Sequence, residues 1–132
     1  METALRYEIN TNVPELTNKI YPTNAPEGSQ GTYLVYARID TDKIKTLQGF
    51  TGNENLSYMF SIMAVKYSDM VRIRKQVEKL LIGDDDSKGM VQREIGDTTK
   101  FFIEDIDINN ITEQYEHELG VNRGIIDFTI YI

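Results

Sequence analysis

Apolar residues recur at a near-helical period at the start of the chain: Leu5, Ile9, Val13, Leu16 and Ile20. Thr3 is placed to cap the first turn. Pro14 breaks the series, because a proline inside a helix removes a backbone donor and clashes with the preceding turn. The pattern predicts two short helices, or one kinked at Val13, with the second running from about Pro14 to Lys19. Their apolar stripe suits a lid lying on a sheet. All three prolines fall between Pro14 and Pro26. The passage Ile20–Ile39 therefore stops the helical region, crosses an irregular loop and starts a strand.

From Tyr33 the period changes to two. Tyr33, Val35, Ala37 and Ile39 alternate with Leu34, Tyr36 and Arg38. Leu56, Tyr58, Phe60, Ile62 and Ala64 alternate with Ser57, Met59, Ser61, Met63 and Val65, the clearest strand of the chain. Between them, Asp40–Asn55 is polar, contains Gly49 and Gly52, and reads as a long loop. Its Ile44, Leu47 and Phe50 suggest a surface covered by a partner. Ser68, with Asp69 in the first turn, opens a helix with the apolar stripe Met70, Ile73, Val77, Leu80 and Leu81. Arg72, Lys75 and Lys79 form its solvated face, and Gly83 ends it.

Asp84–Gly89 reads as a turn or mobile loop. Strand-like segments follow at Met90–Ile95, Lys100–Ile108, Ile111–Leu119 and Gly124–Ile132. Gly120-Val121-Asn122-Arg123 joins the last two. Loss of the final residues should damage the core. The order predicts an α+β fold, a single domain over residues 1–132. A mixed or antiparallel sheet carries short N-terminal helices and one long helix packed on it.

Composition narrows the chemistry. The chain has 132 residues, no cysteine and a net charge of −7. Thiolate metal sites, disulfides and cysteine nucleophiles are excluded. Seven acids stand against six bases up to Lys66, and fourteen against eight from Tyr67 onward. That balance has the wrong sign for gripping a nucleic-acid backbone and suits solubility, or a surface that DNA can pass without sticking. No apolar run reaches the ~20 residues that cross a bilayer, and the first residues lack the pattern of a signal peptide.

Candidate sites are few. The lone His117 alternates with Tyr115 and Leu119 and reads as a strand histidine. Phosphate-cradling glycine loops and the nucleophile elbow are absent. Asp105, Asp107, Asn109 and Glu116 match the ligand spacing of an EF-hand loop. Asn110 replaces the turn glycine, however, and Ile106 and Ile108 point to a strand with its acids in solvent. The expectation is no catalytic residue, no metal and no cofactor. The aromatics sit at alternating positions and serve packing.

Several strings carry a family resemblance. These are Ile20-Tyr21-Pro22, Ala25-Pro26-Glu27-Gly28 and Tyr33-Leu34-Val35-Tyr36 after a helical lead-in, the loop with Gly49 and Gly52, and the strand Leu56–Lys66. Tyr67-Ser68-Asp69 then opens the long helix, and Ile125-Ile126-Asp127-Phe128-Thr129-Ile130 closes the match. With them the chain resembles the tail-completion, or tail-terminator (head-to-tail joining), proteins of long-tailed bacteriophages and prophages. The resemblance implies a structural virion protein assembled in the host cytoplasm. Such proteins form a ring, commonly a hexamer, at the head-proximal end of the tail tube. The ring stops tube polymerisation and docks the tail to the head connector while DNA passes through. Its partners would be copies of itself, the tail tube protein and the connector or neck protein.

Candidate interface residues are Leu47, Gln48 and Phe50 in the Asp40–Asn55 loop, and Asp84, Asp85 and Asp86 at the start of the Asp84–Thr98 region. Another neck or head-completion component is one alternative. A small cytosolic ligand-binding or enzyme domain is the other, and it would require a pocket with convergent polar groups.

Overall fold

The computed structural model describes residues 1–22, 31–46 and 49–132, with the backbone alone at 40–46 and 49–53. Helix α1 spans Glu2–Asn12 and is followed by a single 3-10 turn, Pro14–Leu16. Strands β1 (Ile20–Pro22), β2 (Tyr33–Thr46) and β3 (Gly49–Ala64) precede helix α2 (Tyr67–Ile82). Strands β4 (Arg93–Ile95), β5 (Phe101–Ile103), β6 (Asp105–Glu116) and β7 (Val121–Tyr131) complete the chain. Five strands form one sheet in the order β1-β2-β3-β7-β6, and β4 pairs with β5 in a second, small one. Among the described strands of the large sheet, only the β1–β2 contact is parallel. The fold is α+β with a mixed sheet, as the element order predicts.

The register explains the core. Leu56↔Ile130, Tyr58↔Phe128 and Phe60↔Ile126 are direct neighbours on β3 and β7, and all six side chains are buried on the helix-bearing face. Leu34 and Tyr36 extend this layer across β2, and Ile106 extends it across β6. Helix α1 adds Ala4, Leu5 and Ile9, and α2 adds Ile73, Val77 and Leu81. Met90, Ile95 and Ile103 close the side. The residues that alternate with this set point away from the helices, where Tyr33, Met63 and Val121 form a small second cluster. Gly124 lies opposite Ile62 and under α2. A Cβ there would come within 2.6 Å of the Met70 sulfur, so the glycine lets helix and strand approach.

Several local expectations are corrected. Thr3 and Ser68 cap nothing: Met1 and Lys66 occupy the N-cap positions, and neither makes a side-chain capping bond. Strand β3 runs almost directly into α2, which puts Ser68 inside the helix rather than at its cap. The expected second helix, Pro14–Lys19, shrinks to one turn because Asn18 has a positive φ of 60° and Ile20 already pairs with Leu34. Asn10 holds this reversal in place, its carboxamide oxygen accepting the Asn18 amide at 3.1 Å.

The Asp40–Asn55 segment is not an irregular loop. Its backbone continues β2 and β3, with Thr41↔Leu56, Asp42↔Asn55, Lys43↔Glu54 and Thr46↔Gly49 as partners. Polar composition there does not mean a lack of pairing, since a strand sequence without apolar alternation offers no period to read. Strand β7 ends near Asn55 and Glu54, so the rest of this ribbon extends beyond it. Lys100–Ile108 is split at Glu104 into β5 and β6, and β6 then runs on without a break to Glu116. The last connection is a turn at His117–Gly120, not Gly120–Arg123, because Glu116 pairs directly with Val121.

Among the described residues Glu8 is the buried charge, 6% exposed. Both its oxygens accept from the Arg93 guanidinium, at 3.3 and 3.2 Å. The Gly96 amide and the Asn12 carboxamide also donate to it. This carboxylate ties the β4 segment to α1. Glu8→Ala should cost about 2 kcal/mol, a figure reduced because Arg93 is partly exposed and can rehydrate. Urea unfolding of the two proteins would measure it, and a loss below about 0.5 kcal/mol, the level of a surface pair, would refute the clamp.

Candidate interaction surface

Strand β6 forms one border of the large sheet. Among the described residues, its outer backbone edge has no strand neighbour along Asp105–Glu116. Most of its side chains are exposed, and it carries Asp105, Asp107, Glu113 and Glu116 with no lysine or arginine. At the opposite border, β1 covers only Leu34–Tyr36 of β2. From Ala37 to Thr46, β3 is the sole described neighbour of β2. Among the described residues, the sheet thus ends in two long free edges.

A register shift between Ile108 and Asn110 marks a bulge in β6. One extra residue lets Ile108 and Ile111, three apart, both face the helices, opposite Phe128 and Ile126. A second shift lies at Arg38/Asp40 in β2, where Ile39 is 59% exposed.

Exposed apolar residues also gather where β3 ends and β6 turns: Val65, Tyr67, Tyr115 and Leu119. The Tyr67 hydroxyl donates to Glu113, which raises the phenol's pKa, because losing that proton would set two anions against each other. Arg74 donates to the same carboxylate at 3.0 Å and also binds Glu78. On the far face, Arg123 donates to the buried Ser61 hydroxyl at 3.1 and 2.9 Å and to Glu116 at 3.2 Å. Hydrogen bonds from Gln114 and then Arg123 hold the Glu116 carboxyl below its usual range.

The sequence-predicted interface residues fall on separate elements. Leu47 and Gln48 lie outside the described residues. Phe50 is on β3, its backbone paired with Lys45. Asp85 and Asp86 are exposed in the turn after α2. Asp84 shapes that turn: its backbone bridges Ser87, one oxygen accepts the Asp86 amide at 3.0 Å, and the other meets Lys79 at 3.0 Å. The hydrogen bond from Lys79 depresses the Asp84 pKa. Any stability this gives is present above the unfolded pKa and is lost as pH falls through the lower, folded value. In Lys79→Met, the NMR titration midpoint of Asp84 should move up, and an unchanged midpoint would refute the pairing.

Asp105, Asp107, Asn109 and Glu116 do not converge. They lie along one extended strand whose ends are about 36 Å apart. Asp107 accepts from the Tyr131 hydroxyl at 2.9 Å, and Asn109 donates to Thr129 at 2.8 Å. No group of three metal-ligating residues occurs among the described residues. His117 is in the turn, not in a strand, with its ring edge-on to Tyr115 at 4.9 Å. A cleft of about 430 Å³ is lined by Asn12, Gln76, Lys79, Leu80 and Arg93 among others, and both its cations are engaged, with Asp84 and Glu8. No described helix is long and apolar enough to cross a membrane. The free edge of β6 was missed in the sequence; its run of acids and paired asparagines was the available signal.

No protein-family model matches the chain, and no curated protein matches it in sequence. Solved structures do share its fold. One is a chain in the virion of a native gene transfer agent (GTA) particle, with a TM-score of 0.72. The superposition covers 99% of this chain and 92% of that one, at 9% sequence identity. At that identity the likeness is one of fold.

Proposed function

We propose that this chain is a structural virion protein. It forms a ring at the head-proximal end of a bacteriophage tail tube, ends tube polymerisation and joins the tail to the head connector. The observation that carries the reading is the likeness, over nearly the whole of both chains, to a chain of a gene transfer agent virion. The sequence resemblance to tail-completion proteins narrows a virion subunit to the terminator role. The two sheet edges that have no strand neighbour among the described residues support it as well, since a ring protomer needs a surface on each side that meets a different surface of its neighbour. In this role the chain acts by contact and needs no catalytic group.

The test is electron microscopy of particles made without the protein. Overlong tails are expected. Full heads beside tails of normal length would move the protein to a head-completion role, and unaltered particles would overturn the virion reading.

A further inference from the structure

We propose that the outer edge of β6 pairs, antiparallel, with the free Ala37–Thr46 stretch of β2 in a second copy of this chain. This rests on the ring reading above and supplies its contact. Each edge offers a row of backbone donors and acceptors with no described strand partner, and the two are similar in length. An open edge of that length is a template for pairing.

Charge selects the partner. Two β6 edges side by side would bring together Asp105 and Asp107 of each copy, for which no described cation stands as partner, beside Glu113 and Glu116, which Arg74 and Arg123 already hold. The β2 stretch instead supplies Arg38, Lys43 and Lys45 against Asp40 and Asp42. Direction fits too. Strands β2, β3, β7 and β6 alternate strictly, so rotation about a ring axis that runs along the strands sets β6 of one copy antiparallel to β2 of the next. The contact joins unlike edges, so it repeats around a ring until the rotation closes.

The chain lacks cysteine, so a disulfide reports only an introduced pair. Ile39→Cys would be combined in turn with Asp107→Cys, Asn109→Cys and Thr112→Cys, and each protein oxidised and run on a denaturing gel. At least one double variant should give a covalent ladder beyond the dimer, while every single variant stays monomeric. Covalent dimers from a single β6 variant would overturn the proposal in favour of β6–β6 pairing. So would double variants that remain monomeric at about 1 mM, the weak end of specific association. Overlong tails in particles lacking the protein, with no ladder, would leave the ring reading standing without this contact. A ladder with unaltered tails would do the reverse.

Discussion

Phe128→Ala is expected to lower folding stability by about 4 kcal/mol. Phe128 is fully buried, with its ring edge-on to Phe60 at 4.7 Å and stacked on Tyr58 at 5.9 Å. It lies on β7, flanked by Tyr58 on β3 and Ile108 on β6, so the void would open at the centre of the sheet's packed face. Backbone pairing on both sides keeps β7 from moving in to fill it. Domains of this kind are stable by roughly 5–15 kcal/mol, so the variant should be marginal. The urea midpoint should fall with the slope unchanged. A loss under about 1 kcal/mol would mean the core collapses around the gap.

Gly83→Ala is the second, at about 3 kcal/mol. Gly83 ends α2 with φ 79° and ψ −163°, a conformation open in practice to glycine alone. An added Cβ would also lie 1.9 Å from the Ser87 carbonyl oxygen and 2.6 Å from the Gly89 nitrogen, both backbone atoms. Relief requires opening the Asp84–Ser87 bridge and shifting the path to the fully buried Met90. Gly31 is the control: its φ is also +79°, but among the described residues nothing lies within 4 Å of the site a Cβ would take. Thermal unfolding should show Gly83→Ala losing clearly more than Gly31→Ala. Equal losses would leave backbone conformation as the whole cause.

Leu56–Ala64 and the α2 stripe were legible in the sequence because one face of each is continuously apolar and buried, while the other carries serines and methionines in β3 or charges in α2. Period then reports burial directly. The β2–β3 ribbon was not legible, since polar residues through most of Asp40–Asn55 leave no contrast between faces. Strand β6 read as two pieces because its bulge shifts the apolar period between Ile108 and Ile111. Thr3 and Ser68 have capping chemistry, but the helices start elsewhere. As for the site, aspartates at Asp84–Asp86 could be read as exposed, but their turn-forming bonds could not. Free edges follow from strand order, which rests on contacts far apart in sequence, such as β3 with β7, and local pattern carries none of that.

The bulge at Asn109 also sets how this chain can vary in length. In a regular strand, a lost residue shifts the pairing and inverts every side chain beyond it. Asn109 is the surplus residue of β6, so its loss would leave Ile108 opposite Phe128 and Ile111 opposite Ile126. Glu113 would keep its place beside Tyr67 and Arg74, and only the Asn109–Thr129 hydrogen bond would go. A deletion two residues later would use up the same surplus and set Asn110 in place of Ile111 opposite Ile126, losing an apolar side chain from that face. Related chains one residue shorter in this strand should therefore have lost it at the bulge, with the positions of Ile108 and Ile111 two apart instead of three.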